Sequence, residues 1–258
     1  MSTFRSAYAR PMKDIFEEAF DVLRQDASEY AYIGLVGAVI ASIAVLIPAI
    51  IGGPVAIAFI APLVTIIAVM TLGTCEAALS NVSTGLQPDA ANAGRAAAWR
   101  TVPLLRPWLL LAGTLFAASL AVGLAAPHFG PVPPMVAVPL LITVAAFYAY
   151  PRSLYTAALF ERDMTSRDAT RVSVRLVDRA GSRVAKAWAV VAAPATLIAA
   201  LCALAGFDFV AGAIVVFFFV GALPVAAVLM SLLFIDAASS AEVAANPAPN
   251  AAIAQRRI

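Results

Sequence analysis

Six apolar stretches, each long enough to cross a lipid bilayer, dominate the sequence. A membrane-spanning helix needs about 20 apolar residues, with a range of roughly 17–25. The chain is 62% apolar and 12% charged, and so few charges cannot cover this much apolar surface in water. The sequence therefore predicts an all-α integral membrane protein and excludes a soluble domain. The six predicted spans are 31–50, 54–77, 107–126, 135–160, 187–205 and 209–235.

Basic residues are segregated between the links that join these stretches. The short links 51–53, 127–134 and 206–208 hold no Lys or Arg. Of the 17 basic residues, four lie in the N-terminal arm and two in the tail. The longer link 78–106 holds three, and the longer link 161–186 holds seven. Because cytoplasmic loops are enriched in Lys and Arg, we predict that both termini and both long links are cytoplasmic. The expected location is the bacterial inner membrane.

Similar fragments recur at a spacing of about 80 residues, which indicates repeated structural units. Ala-Ala-Leu occurs at 77–79 and at 157–159, and Glu-Ala-Ala at 76–78 is echoed by Asp-Ala-Ala at 236–238. Before the third and fifth stretches, a basic residue precedes Trp by two positions, and these tryptophans are 80 residues apart. We predict six transmembrane helices as three hairpins, each preceded by a cytoplasmic amphipathic helix.

This reading divides the chain into three parts. Residues 1–30 form a cytoplasmic N-terminal arm with an amphipathic helix. Residues 31–236 form the six-helix transmembrane domain, and residues 237–258, rich in Ala, Pro and Asn, form a flexible cytoplasmic tail.

Small residues recur every four positions in the odd-numbered stretches. Close helix packing in lipid depends on small residues, because lipid provides no hydrophobic drive between helices. We therefore expect the odd-numbered spans to be the inner ones. The even-numbered stretches carry prolines, read as tolerated kinks or, alternatively, as hinges or cavity linings. The small residues are Gly34, Ala38 and Ser42; Gly113, Ala117 and Ala121; and Ala195, Ala199 and Ala203, and the prolines are Pro62, Pro139 and Pro224.

The N-terminal arm carries the clearest amphipathic pattern. After Pro11, which suits a first helical turn, apolar residues recur at the spacing of one helix face. This face includes Ile15, Phe16 and Phe20, and acidic residues dominate the other face. Such a helix lies in the membrane interface or packs beneath the bundle, and we predict that these three residues contact lipid or a partner. Its acidity favours pairing with the basic second link, and a solvated polar face is the alternative.

The second long link has the densest positive charge. Its arginines recur every four residues, which places them in one stripe on a helix, beside an apolar stripe that includes Ala169 and Leu176. We predict that this helix lies at the membrane interface and that its guanidinium groups contact anionic phospholipid or a partner. The alternative is that these charges only fix the topology. The stripe comprises Arg167, Arg171, Arg175, Arg179 and Arg183.

Arg152 is the one basic residue within an apolar stretch. An ionisable residue in a span is by default a functional hypothesis, and Glu76, Glu161 or a lipid phosphate would serve as its partner. Alternatively, the long side chain reaches the membrane interface, as expected if the fourth span ends near Tyr150. We predict that Arg152 contacts lipid or a partner.

The sequence lacks the residue patterns of known catalytic sites. His128 is the only histidine, whereas a zinc site needs three or four ligands. No Ser-His-Asp arrangement is indicated, and no glycine-rich phosphate loop occurs. We predict a non-enzymatic protein with no catalytic residue, no cofactor and no metal site.

The order of these features resembles the membrane-domain family of glycerophosphodiester phosphodiesterases and the similar YciC-type inner-membrane proteins. The resemblance rests on Tyr-Pro at 150–151, Glu-Arg-Asp at 161–163, the amphipathic segment 169–176 and the link 85–108. It implies a six-helix membrane fold and little about function. No phosphodiesterase catalytic sequence is present, so that activity is not expected.

Two functions are consistent with these patterns. The first is an accessory or structural subunit of a larger membrane assembly, with membrane lipids and other membrane subunits as partners and no nucleic acid. The alternative is a transporter or lipid-handling protein for a hydrophobic or lipid substrate, because interrupted helices can build a cavity between repeats.

Overall fold

The computed structural model describes residues 10–83, 87–129, 144–205 and 216–245, and all regular structure in these ranges is helical. Residues 144–149 are also helical, and a π-helical turn, Phe217–Ala222, precedes the last helix. The labelled helices are α1 (Met12–Gln25), α2 (Ala27–Ile51), α3 (Gly53–Ala58), α4 (Ile60–Ser83), α5 (Ala90–Trp99), α6 (Thr101–Leu105), α7 (Leu109–Phe129), α8 (Tyr155–Glu161), α9 (Ser166–Ala205) and α10 (Leu223–Ala245).

Four helical segments are long and apolar enough to cross a membrane: Ala27–Ile51, Gly53–Val82, Thr101–Ala125 and Phe217–Ser240. The predicted all-α, multi-pass membrane class is thereby confirmed. Parts of the expected fourth and sixth spans, and the tail beyond residue 245, lie outside the described residues. The described part of the tail, 237–245, continues α10.

Among the interruptions of the helices, three lie at Pro151, before Pro224 and at Ala180. Pro151, which lacks a backbone N–H, lies in a 3₁₀ turn (Tyr150–Arg152) between residues 144–149 and α8. Pro224 directly follows the first residue of α10, after the π-helical turn. Within α9, the backbone at Ala180 is not helical (φ −106°, ψ 19°). Four arginines of the stripe precede this kink, and Arg183 and Lys186 follow it.

Hydrogen bonds between the break at Pro151 and α9 stabilise this turn. The Ser173 hydroxyl donates to the carbonyl oxygen of Pro151 (3.0 Å) and accepts the backbone N–H of Leu154 (3.2 Å). The Tyr150 hydroxyl donates to the carbonyl oxygen of Gly181 (2.7 Å), next to the α9 kink. Polar backbone groups freed by a break must find such partners in an apolar interior.

The last span, which is even-numbered, is the most buried of the four, and the third span, which was expected to be an inner one, is among the least buried. Of the most apolar window of the last span, 72% is buried, against 33% or less for the other three. Gly34 does mark a close contact, because a Cβ there would lie 2.5 Å from the carbonyl oxygen of Phe219. Gly113 and Ala117 are exposed, and a Cβ at Gly113 would have no neighbour within 4 Å. The side chains of the three fifth-span alanines lie outside the described part of the structure.

Candidate functional site

A large apolar cavity, called the tryptophan cavity below, lies between α4, α7, residues 145–150, α9 and the turn before α10. Its volume is about 790 Å³, within the usual range of sites that enclose small molecules. Its two tryptophans are Trp108 and Trp188, which occupy equivalent positions 80 residues apart in the predicted repeats. The aliphatic lining includes Val64, Ala68, Leu72, Leu111, Leu115 and Ala145.

The few polar groups of the cavity lining mostly have partners within the protein. The Thr65 hydroxyl donates to the carbonyl oxygen of Ala61 (2.8 Å), as hydroxyls in helices often do. The Trp188 indole N–H donates to the Ser153 hydroxyl (2.7 Å). The Tyr150 hydroxyl is bound to α9, as described above. The cavity therefore presents mainly carbon to any occupant.

Arg152 lies in the helix break beside this cavity. Its Nη1 donates to the carbonyl oxygen of Tyr148 (2.8 Å), and its guanidinium carbon lies 3.8 Å from the centre of the Tyr148 ring. That ring packs edge-on against Trp108, with centroids 6.2 Å apart. Glu76, one partner expected from the sequence, binds Thr156 and Ser231 instead. The structure thus joins Arg152 to the cavity through the rings of Tyr148 and Trp108.

A charged cluster holds three distant parts of the chain together. Asp236 of α10 is almost buried. Its carboxylate forms an ion pair with Arg183 of α9 (Nη1 to Oδ2, 2.6 Å). Arg10 pairs with the same carboxylate (Nε to Oδ1, 3.4 Å) and with Glu18 of α1 (2.5 Å). Burial lowers the pKa of Arg10, but Glu18 and Asp236 outweigh this effect and raise it above its ordinary value.

The arginine stripe is divided by these contacts. Arg183 belongs to the charged cluster, whereas the other four arginines are exposed. The neighbouring apolar stripe packs against the protein, since Ala169 and Leu176 are buried. Contact with lipid or a partner therefore stays a prediction for the four exposed members, which are Arg167, Arg171, Arg175 and Arg179.

The apolar face of α1 packs beneath the bundle. Ile15 is fully buried and Phe16 packs against the main core, while Phe20 is 60% exposed. Helix α1 contacts α10 and α2, so this face stabilises the protein itself. Of the three residues predicted to contact lipid or a partner, Phe20 is the most available for an external contact.

The sequence indicated Glu76 only as a possible partner of Arg152, and its burial was not predicted. Glu76 is fully buried where α4, α8 and α10 meet, with Thr156 and Ser231 as hydrogen-bond partners. A signal was present in the repeat, because Glu76, Thr156 and Asp236 occupy equivalent positions at intervals of 80 residues.

Within the described residues, no group of three or more His, Cys, Asp or Glu side chains is arranged to hold a metal ion. His128 is exposed at the end of α7. Comparisons with known proteins add no functional assignment, because no family model, no curated protein and no solved structure matches this chain.

Proposed function

We propose that this membrane protein is a non-enzymatic, lipid-handling protein that holds a hydrophobic molecule or a lipid tail in the tryptophan cavity. The observation that carries the proposal is a cavity of about 790 Å³ with apolar walls. It lies in a protein whose described part has four helices long and apolar enough to cross a membrane. An apolar cavity next to lipid favours acyl chains over water, because water needs two to four polar partners. Such a ligand gains favourable dispersion contacts with the aromatic and aliphatic walls.

Arg152 is the group we propose to recognise the polar end of this ligand. A guanidinium group binds phosphate and carboxylate with paired, charge-assisted hydrogen bonds. Stacking on Tyr148 holds the guanidinium plane in place, and its Nε is buried without a hydrogen-bond partner in the described structure. An anionic amphiphile with its chain in the cavity would combine both interactions.

Filling the cavity tests the first part of the proposal. The double variant Ala68→Trp/Ala145→Trp places two indoles at cavity-lining positions. We expect native mass spectrometry of protein purified from its own membrane to show several-fold less bound lipid or other hydrophobic molecule than in the wild type.

The matched control is Ala49→Trp/Ala117→Trp, which adds the same two side chains at exposed positions of α2 and α7. This control should keep the bound molecules of the wild type. Equal occupancy in the two double variants, or an empty wild-type protein, would contradict the proposal.

Removing the charge of Arg152 tests the recognition of the polar end. In vesicles with equal amounts of phosphatidylglycerol and phosphatidylethanolamine, we expect Arg152→Gln to lower the ratio of anionic to zwitterionic lipid bound several-fold. Arg95→Gln, on the exposed side of α5, controls for general surface charge. An unchanged ratio in Arg152→Gln, or the same change in both variants, would argue against this role.

The second candidate is an accessory or structural subunit of a larger membrane assembly. It is favoured by an apolar surface on the link before α7, where Trp99 is 88% and Val102 is 77% exposed. Large exposed aromatic residues are common in protein interfaces and at the membrane boundary. Affinity purification in mild detergent separates the two candidates, because a subunit should bring a stoichiometric protein partner with it.

The finer topology is also a proposal. Six spans as three hairpins, with both termini in the cytoplasm of a bacterial inner membrane, agree with the segregation of Lys and Arg. The charged cluster supports it, because Arg10 of the arm, Arg183 of the second link and Asp236 at the end of the last span lie together. The resemblance to the phosphodiesterase membrane domains and the YciC-type proteins fits the same topology.

A further inference from the structure

Glu76 is an ionisable residue in α4, one of the helices long and apolar enough to cross a membrane. Its described hydrogen bonds are with neutral hydroxyl groups. The Thr156 hydroxyl donates to Oε1 (3.4 Å), and the Ser231 hydroxyl donates to Oε2. The side chain has no exposed surface. Among the described residues, no arginine or lysine pairs with it, whereas Asp236 has two such partners.

The titratable neighbours of Glu76 would disfavour a negative charge there. They are Tyr30 on α2, Cys75 on the same helix and Glu161 at the end of α8. Each of these groups is neutral or negative, and none is basic. On α10, the nearest charged residue along the chain is Asp236, which is neutralised by Arg10 and Arg183. An ionised Glu76 would therefore be a buried and unpaired charge.

We propose that Glu76 is a proton-binding site, occupied at neutral pH, that stabilises the meeting point of α4, α8 and α10. A protonated carboxyl group can both donate and accept a hydrogen bond. In the protonated state, the oxygen of Glu76 that carries the proton donates to its neighbouring hydroxyl, which then accepts. The other carboxyl oxygen still accepts the proton of its hydroxyl, so both contacts persist without a counter-ion. The three helices carry equivalent positions of the predicted repeats, so release of the proton would loosen the contact at which the repeats meet.

A proton fits this site better than a metal cation. Bound cations of the alkaline-earth group take six or more oxygen ligands, whereas the side-chain oxygens described around this site come from one carboxyl group and two hydroxyls. The site is also sealed, since Ser231 is fully buried and Thr156 is 1% exposed. A proton needs only one partner atom.

Infrared spectroscopy of the purified full chain, with the spectrum of Glu76→Gln subtracted from that of the wild type, tests the proposal. We expect the wild type at neutral pH to show the carbonyl band of a protonated carboxylic acid. The band should shift in D₂O and should be absent from Glu76→Gln. Glu17→Gln, at an exposed position of α1, is the control and should leave the band in place. A wild type without this band, or a Glu76→Gln variant that retains it, would overturn the proposal.

Thermal unfolding over a range of pH provides a second readout. If the folded protein binds this proton more tightly than the unfolded chain does, the stabilisation is complete at low pH and is lost as Glu76 ionises at high pH. The wild type should therefore lose more of its midpoint temperature with rising pH than the neutral mimic Glu76→Gln. Parallel pH curves would overturn the proposal. So would a midpoint at high pH that rises with sodium chloride but not with choline chloride, because a bound sodium ion would then replace the proton.

Discussion

Asp236→Ala is expected to lower the free energy of unfolding by about 3–5 kcal/mol, the cost typical of removing one partner from a buried ion pair. The Asp236 side chain is 6% exposed and that of Arg183 is 17% exposed. Without the carboxylate, Arg183 and Arg10 would lie next to each other as two partly buried positive charges. The arm, α9 and α10 would lose the carboxylate that they share, although Arg183 would still donate to the Arg10 carbonyl oxygen (2.8 Å).

Thermal or denaturant unfolding in a constant detergent measures this effect. Glu17→Ala is the matched control, because Glu17 pairs with Lys13 at 3.5 Å and both side chains are more than half exposed. Exposed pairs contribute about 0–1 kcal/mol. If both variants lose the same stability, the charged cluster does not hold these segments together.

Gly34→Ala is expected to destabilise the protein by about 3 kcal/mol, at the upper end of the usual cost of overpacking. The new methyl group would lie 2.5 Å from the Phe219 carbonyl oxygen and 2.7 Å from the Val220 Cα. Both are backbone atoms of the π-helical turn, so a side-chain rotation cannot relieve the contact. Helix α2 would have to move away from the most buried span.

Gly113→Ala is the control for this substitution. Alanine favours helix by about 1 kcal/mol over glycine, and a Cβ at Gly113 has no neighbour within 4 Å. The free energy of unfolding of Gly113→Ala should therefore equal or exceed that of the wild type. Opposite signs for the two glycines are the expected result, and equal effects would show that α2 does not pack closely on the turn.

The sequence predicted the elements that depend on local patterns. The apolar spacing of the arm predicted α1, and Pro11 stands directly before it. The apolar runs predicted α2 and the other membrane-crossing helices, because length and hydropathy are properties of single segments. The basic second link predicted one amphipathic helix that carries the whole arginine stripe. The link is helical in α9, but the kink at Ala180 separates Arg183 from the other four arginines.

The sequence could not predict which helices lie inside. Gly34 and Gly113 belong to the same kind of four-residue pattern, yet one contacts a neighbouring backbone and the other is exposed. A small residue permits a close approach but does not specify a partner. The placement of the last span depends instead on many contacts between distant segments.

The candidate site was only partly predictable for the same reason. Arg152 was recognised because it interrupts an apolar stretch, but its stacking on Tyr148 is a tertiary contact. The cavity between Trp108 and Trp188 and the burial of Glu76 both depend on how the repeats pack. The 80-residue spacing related Trp108 to Trp188, but it did not indicate an apolar cavity between them.

Crosslinking with a phospholipid that carries a photoactivatable group near the end of its acyl chain tests the central claim most directly. In vesicles of this lipid, illumination should label cavity-lining positions such as Leu111 and Leu115, which are almost buried. The cavity-filled variant Ala68→Trp/Ala145→Trp should lose this labelling and retain labelling of outward residues such as Leu110. Labelling confined to outward residues in the wild type would contradict the account.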